Sequence, residues 1–264
     1  LVSTTQKSKQ GLFLHTAKVI RGTLKQGANV HAVVDPSRVE TQKHHSATHL
    51  LHAALRSTLG THVAQAGSLV APDRLRFDFS HGGAVSVEEI EKIETMVNRW
   101  IQADFTVNWK NVPIAEARKA GAMMLFGEKY GENVRMVTMG DDSSNVSIEL
   151  CGGIHVNRTG EIGSFVITTE ESVSAGVRRI EALTGMAALQ YTQMLRQNIN
   201  SLAKQLTSKP DEVPARIDKL QSDLKASQRE ASTLRDKLAA AQTSGGSSSE
   251  VKEAGGFKYV VSSI

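Results

Sequence analysis

The chain has 264 residues, of which 40% are hydrophobic and 22% are charged. This length and balance predict a folded core in one or two domains with an extension, and they exclude a disordered or collagen-like chain. The net charge of +4 permits a polyanionic partner without requiring one, and the single cysteine excludes an internal disulfide framework.

Residues 1–38 begin with short β-like runs. The runs cover 12–14, 18–20 and 29–34, and the turn signals Arg21-Gly22 and Gln26-Gly27 lie between them. We therefore expect strands at these three positions, in a small antiparallel sheet or part of a small β-barrel.

The segment 39–185 mixes helical and β patterns. Apolar residues at three- and four-residue spacing predict a helix over about 40–59, which ends at Gly60. The other predicted elements are a hairpin over 67–70 and 75–79, a helix over 87–103 capped by Ser86, a shorter helix after Pro113, and strands over 134–139, 146–150 and 162–168. The fold class that these elements predict is α+β, with a mixed-sheet domain over 39–185.

The pattern becomes purely helical over 186–243. One apolar stripe runs from Leu195 to Leu206, and a second alternates three- and four-residue steps from Ile217 to Ala241. Two prolines in the segment 208–214 interrupt a continuous helix, so we predict an antiparallel helical hairpin. A single kinked coiled coil that dimerises is the alternative. Residues 244–264 are expected to be a Gly/Ser-rich linker and the start of a further domain.

The two ends of the sequence suggest a piece of a longer protein. The first residue is Leu1 rather than Met, and the last segment, 257–264, stops within a strand-like pattern. The sequence carries no secretion signal and no apolar run of the roughly 20 residues that cross a bilayer. We therefore expect a soluble, cytoplasmic protein with no membrane contact.

Two pairs of side chains have the spacing of metal ligands. His45 and His49 lie four residues apart on the first predicted helix, which places both imidazoles on one face. Cys151 and His155 flank two glycines that permit a tight turn. A thiol and three imidazoles suit tetrahedral zinc. Each spacing alone also arises by chance, and the other nearby histidines compete as ligands: His44, His52, His62 and His81.

Several stretches resemble the editing domain of bacterial alanyl-tRNA synthetase. They follow the family's order within the first 185 residues and cover 45–52, 67–70, 76–81, 147–156, 159–163 and 176–182. The resemblance implies a domain that hydrolyses mischarged Ser-tRNA(Ala) or Gly-tRNA(Ala), with zinc as cofactor. It assigns the zinc ligands to His45, His49, Cys151 and His155. Residues 1–38 resemble the closing part of the β-barrel that precedes this domain, and 186–242 resemble a helical connector.

The resemblance also implies partners and further roles. The partner is the acceptor end of tRNA(Ala), and the parent protein would ligate alanine to tRNA(Ala) with ATP at a site absent from these residues. Gln65 lies where the family has a pocket residue, and we expect it to recognise the seryl hydroxyl. Cys151 is the second candidate catalytic residue. Ile154 replaces a threonine of the family pattern, so one hydroxyl is missing beside the ligands.

Other interpretations remain open from sequence alone. If all four side chains bind a tetrahedral zinc at once, the metal is structural unless one ligand leaves. The chain would then be a zinc-stabilised tRNA-binding module without activity, joined to a coiled coil that oligomerises. A homodimer through the helical region or through a missing C-terminal domain is a further expected partner. Gln65 could also be a solvated residue beside a strand.

Overall fold

The computed structural model of the protein describes residues 1–8, 10–124, 130–141, 144–245 and 251–260. Its first unit comprises Leu1–Ile162 and Ile167–Ala182, and its second comprises Gly163–Val166 and Leu183–Ile264. The metal-ligand candidates all belong to the first unit.

Helices and strands follow one another along the described residues. The helices are α1 (Ser37–Leu59), α2 (Val87–Gln102), α3 (Ile114–Lys119), α4 (Gly185–Gln205) and α5 (Val213–Gly245). The strands are β1 (Val2–Lys7), β2 (Phe13–Ala17), β3 (Gln65–Val70), β4 (Leu75–Ser80), β5 (Thr106–Pro113), β6 (Asn133–Gly140), β7 (Asn145–Leu150), β8 (Phe165–Ser174), β9 (Val177–Thr184), β10 (Val251–Ala254) and β11 (Phe257–Val260).

Besides the two-stranded sheet of β1 and β2, the first unit contains two larger sheets. One has the strand order β3-β4-β9-β8, and the other has the order β5-β6-β7. The pairs β3–β4, β4–β9, β5–β6 and β6–β7 are antiparallel, and a single parallel bridge joins Met123 to Glu149 beside β7. Sheets and helices in one chain confirm the predicted α+β class.

Helix α1 is the central element of the core. Its residues Leu50, Leu51 and Leu55 are fully buried, and Phe77 of β4 is fully buried as well. The helix contacts α2, β3, β4 and β7. Such a helix is held by packing on several sides, so side chains that it directs inward have little freedom. The predicted helix over 40–59 is confirmed, with a start three residues earlier at Ser37.

In the segment 39–185 the Ser86 cap and the central elements match the sequence prediction, whereas two strands of this segment were missed. Ser86 forms a capping box with Glu89 at the start of α2. The missed strands are β5 and β9. Strand β5 lies at the edge of its sheet and mixes polar residues with a terminal proline, and β9 carries two adjacent arginines. Their strand conformation depends on pairing with distant partners, which local patterns do not reveal.

The predicted strands at 18–20 and 29–34 are wrong. Strands β1 and β2 form an antiparallel pair, and residues 18–34 contain no strand. Val19, Val30 and Val33 are exposed. A strand requires a paired neighbour, and the described residues provide none for these two runs. The β-barrel to which residues 1–38 were assigned remains a prediction.

The second unit contains the predicted break between two helices. Helices α4 and α5 meet at a short 3₁₀ turn, Pro210–Glu212, where Ala203 and Val213 are buried. Further along α5 the leucines of the apolar stripe are 44% to 60% exposed. The helix continues through Gly245, so it includes the first residues of the predicted linker, and residues 246–250 of that linker lie outside the described residues.

We expect Asp78→Asn to destabilise the first unit by about 1–3 kcal/mol, the usual effect of removing one partner of a partly buried charged hydrogen bond. Asp78 is buried and accepts two hydrogen bonds from Arg179, at 2.7 and 3.0 Å. The Arg179 hydrogen bond lowers the pKa of Asp78 below its ordinary 3.8. Stability from this pair is therefore present above pH 3.8 and is lost as the pH falls through the lowered pKa.

Urea unfolding of the parent and the variant at several pH values measures this difference. The exposed pair of Asp73 and Arg74 provides the control, since Asp73→Asn should change stability little. A constant difference between parent and Asp78→Asn down to pH 2 would contradict the role of ionised Asp78.

Candidate metal centre

The structure brings together the four side chains that the sequence singled out. One ligand atom from each of His45, His49, Cys151 and His155 lies within 4.8 Å of the others. Cys151 Sγ is 3.4 Å from His45 Nε2 and 3.4 Å from His155 Nε2. Helix α1 carries His45 and His49, and the loop after β7 carries Cys151 and His155.

His155 is oriented by a buried serine. Ser46 is fully buried, and its Oγ lies 3.2 Å from His155 Nδ1. The same Oγ accepts a hydrogen bond from the backbone N–H of Val156 at 3.2 Å. A partner at Nδ1 leaves Nε2 facing the cluster. Metal-binding histidines are typically held in this way, with a hydrogen bond at the ring nitrogen that does not bind the metal. Ser46 therefore holds the His155 ring in position.

Glu149 stands behind His49. Its carboxylate oxygens lie 3.2 Å from His49 Nδ1 and 3.1 Å from His52 Nδ1. Burial alone would raise the pKa of Glu149, but the contacts with the two histidines outweigh burial and lower that pKa below its ordinary value. A charged carboxylate behind an imidazole increases the basicity of the opposite ring nitrogen.

Arg135 of β6 holds the loop that contains Cys151. Its Nη1 donates hydrogen bonds to the backbone carbonyls of Cys151, at 2.9 Å, and Gly153, at 2.6 Å. Its guanidinium also lies over the ring of Trp109 on β5, 4.8 Å from the ring centroid. The loop is thus tied to the β5-β6-β7 sheet as well as to α1.

Burial sets the protonation of the cluster. It lowers the pKa of His45 to about 4 and that of His155 to about 2, with smaller contributions from the neighbouring histidines, and it also lowers the pKa of His49. These imidazoles are neutral at pH 7 and can act as ligands. Burial raises the pKa of the Cys151 thiol above its ordinary 9.0, so a metal would have to displace the thiol proton. One sulfur and three neutral nitrogens fit a zinc ion.

The other histidines lie outside the cluster. His52 contacts Glu149 instead, and His62 and His81 contact each other at the surface, with His62 Nε2 3.0 Å from His81 Nδ1. His44 is fully buried on α1. Of the competing ligands considered from the sequence, none joins the group of four in the described part of the chain.

A cavity of about 430 Å³ opens beside the cluster. Gln65, at the start of β3, lines it together with His45, His49 and Cys151. Thr48 and Ser68 add two hydroxyl groups to the same wall, and residues 121–124 form part of the apolar remainder. Gln65 is half-buried rather than solvated. The structure thus places the predicted pocket residue next to the predicted ligands.

Sequence reasoning missed Ser46, Glu149 and Arg135. Two of them carried a local signal. Glu149 precedes Cys151 by two residues at the end of β7, and residues at this spacing share one face of a strand. Ser46 immediately follows the first ligand on α1. Arg135 carried no such signal, because only the pairing of β6 with its neighbours brings it to the loop.

Comparison with known proteins relates the chain to tRNA synthetases. Residues 134–181 match the family described as the threonyl and alanyl tRNA synthetase second additional domain. The chain is 51% identical, over 100% of its length, to an alanine–tRNA ligase of Thermus thermophilus, and 52% identical, over 98% of its length, to that of Deinococcus radiodurans. It is 44% identical, over 91% of its length, to that of Chloroflexus aurantiacus.

The chain belongs to the alanyl-tRNA synthetase family. It spans 30% of the length of the first two relatives and 28% of the third. Family membership along the whole chain confirms the resemblance drawn from the separate motifs. Among the described residues, no helix is both long enough and apolar enough to cross a membrane.

Proposed function

We propose that this alanyl-tRNA synthetase chain is an editing hydrolase that cleaves the ester of Ser-tRNA(Ala) or Gly-tRNA(Ala), with zinc held by His45, His49, Cys151 and His155. The observation that carries the proposal is that three of the four clustered ligands, His45, His49 and Cys151, lie on the wall of a cavity that also contains Gln65. Ligands and a polar recognition group in one cavity are what a small aminoacyl ester requires.

The residues around the cavity would have separate roles in hydrolysis. A bound zinc would supply Lewis acid chemistry, either by polarising the ester carbonyl or by lowering the pKa of a water molecule. Ser46 and Glu149 keep the imidazoles oriented, and Arg135 keeps the Cys151 loop in place. The raised pKa of Cys151 disfavours a free thiolate nucleophile. We therefore assign Cys151 to the metal rather than to attack on the ester.

Selection against alanine would come from the polar wall of the cavity. The side chains of Gln65, Thr48 and Ser68 can form hydrogen bonds with the hydroxyl of a seryl group. An alanyl group has no such hydroxyl and would leave these groups without that partner, which costs free energy. The backbone of Ile154 forms a hydrogen bond with His45, and this contact does not involve the side chain. The replacement of the family's threonine by Ile154 therefore leaves the hydrogen bond to His45 intact.

The role of the parent protein follows from its relatives. They are named alanine–tRNA ligases, and we propose that the parent of this chain ligates alanine to tRNA(Ala) with ATP at a site outside these 264 residues. The acceptor end of tRNA(Ala) is then the partner of the editing cavity, and the cytoplasm is the expected location. The exposed leucines of α5 support a homodimer through the helical region.

Deacylation of Ser-tRNA(Ala) by the zinc-loaded chain tests the proposal. We expect turnover of Ser-tRNA(Ala) or Gly-tRNA(Ala). Hydrolysis of Ala-tRNA(Ala) should be slower than that of Ser-tRNA(Ala), because only the seryl hydroxyl can partner the polar wall of the cavity. A chain that binds zinc and tRNA but hydrolyses neither ester would instead be the non-catalytic tRNA-binding module. A tetrahedral site whose ligands all come from the protein is typical of structural zinc, which is the observation that favours this second candidate.

Gln65→Ala should slow hydrolysis of Ser-tRNA(Ala) by about 2- to 10-fold, the equivalent of one hydrogen bond of 0.5–1.5 kcal/mol. Hydrolysis of Gly-tRNA(Ala) should change little, because glycine has no hydroxyl. Gln102→Ala, at an exposed position on α2, is the matched control. Equal loss on both substrates would assign Gln65 to the shape of the cavity instead of hydroxyl recognition.

A further inference from the structure

Trp109 is a large aromatic side chain at the surface of the first unit. It lies on the edge strand β5, and 60% of its surface is exposed. Within β5 it is the only exposed large hydrophobic residue, since Val107 and Val112 are buried. Protein interfaces contain large apolar patches, whereas a single exposed indole is much smaller than such a patch.

Strand register places Trp109 on the same sheet face as the metal-ligand cluster. Trp109 is opposite Val137 on β6, and Val137 is opposite Glu149 on β7. Residues directly opposite each other in neighbouring strands share a face. Two strand spacings, about 10 Å, separate the backbone of Trp109 from that of Glu149. Glu149 in turn contacts the ligand His49.

Arg135 connects Trp109 to the cluster. The guanidinium that covers part of the indole also donates to the carbonyls of Cys151 and Gly153. Within the described ranges Arg135 forms no ion pair with a carboxylate, so its charge is available to an anion. An exposed aromatic ring next to an uncompensated cation is the usual composition of a site for single-stranded nucleic acid, where a base stacks and a phosphate meets the charge.

We propose that Trp109 and Arg135 form a stacking site for a base of the single-stranded acceptor end of tRNA. The inference rests on the proposed function, because it places the RNA of an aminoacyl ester beside the cluster. The aminoacyl group would occupy the cavity near Gln65, and the base would lie beyond the Cys151 loop, on the indole.

Fluorescence of Trp109 tests the stacking site without hydrolysis. The chain has two tryptophans, and the Trp100→Phe variant leaves Trp109 as the single reporter. We expect a short single-stranded RNA with the acceptor sequence, carrying no amino acid, to quench this emission. A blunt RNA duplex should leave the emission unchanged. Trp109→Ala should weaken binding of the single strand by about 5- to 100-fold, the range for one base–aromatic stack, and Trp109→Phe should retain most of it.

Further variants separate stacking from folding and from catalysis. Arg135→Lys keeps the charge but loses the planar group, so it should weaken binding less than Trp109→Ala. Equal binding by the parent and by Trp109→Ala, with both folded by circular dichroism, would overturn the proposal. Quenching by the duplex at the same concentration would do so as well. Because the RNA carries no aminoacyl ester, this assay does not depend on hydrolysis. Quenching by the RNA together with no turnover of Ser-tRNA(Ala) in the deacylation assay would refute the editing function and leave the stacking site standing.

Discussion

Cys151→Ala is expected to eliminate tight zinc binding and to lower hydrolysis of Ser-tRNA(Ala) by more than about 100-fold, since losing a group that only hydrogen bonds to a metal ligand already costs about 10- to 100-fold. The variant removes the only sulfur from a set of four whose atoms lie within 4.8 Å of one another. Three imidazoles remain, and the thiolate that would neutralise part of the charge of the metal is gone. Zinc content after gel filtration and the rate of deacylation measure the two effects.

Proton release distinguishes a metal ligand from a structural thiol. Because burial raises the pKa of Cys151 and lowers the pKa of His45 and His155, the thiol is the group that carries a proton at pH 7. Zinc binding should therefore release about one proton per ion from the parent. Calorimetry in buffers of different ionisation enthalpy measures this number. Cys151→Ala should show no such release.

A surface histidine serves as control for the first prediction. His62→Ala removes an imidazole that contacts only His81 among the hydrogen-bonded side chains. Zinc stoichiometry and turnover should equal those of the parent. If Cys151→Ala retained one tightly bound zinc and full turnover, the four-ligand assignment would be refuted.

Gly153→Ala is expected to disrupt the metal centre, whereas Gly152→Ala is not. A Cβ added to Gly153 would overlap the ring of His45, and a Cβ added to Gly152 would have no atom within 4 Å. Either His45 leaves the cluster or the loop with Cys151 moves away from α1. We expect a loss of zinc affinity of about 10- to 100-fold and a destabilisation of about 1–3 kcal/mol, which is typical of overpacking.

The two adjacent glycines make a matched pair. Both substitutions add one methyl group and both reduce the freedom of the unfolded chain in the same way, so the difference between them reports the contact with His45. Zinc titration and thermal unfolding in the presence and absence of zinc measure this difference. Equal affinity for zinc in both variants would show that the loop does not need its close approach to α1.

Much of the first unit could be predicted from local patterns. Helices α1 and α2 have continuous three- and four-residue spacing of apolar residues, and Ser86 is a strong capping residue at the start of α2. The predicted strands near β6 and β7 are likewise formed. Each of these elements buries one face, so its apolar residues recur with the period of a helix or a strand. That period alone predicts the element from the sequence.

The prediction was wrong where strands depend on partners. The apolar runs at 18–20 and 29–34 have β propensity but no neighbour in the described structure, and they form no strand. Strand β5 is the opposite case, because its residues show no regular alternation and yet they form a strand. Pairing with β6 along its full length stabilises that conformation. Propensity for strands is a property of the sheet as much as of the residues.

The sequence by itself determined that His45 and His49 share one helix face. It also determined that Cys151 and His155 flank two glycines that permit a tight turn, since both inferences depend on spacing alone. Only the tertiary structure decided that the two pairs meet. The packing of α1 against β7 brings them together, and Ser46, Glu149 and Arg135 reach them from separate elements. Ser46, for example, is 109 positions from His155 in the sequence and reaches it only through folding, and no local period encodes such a contact.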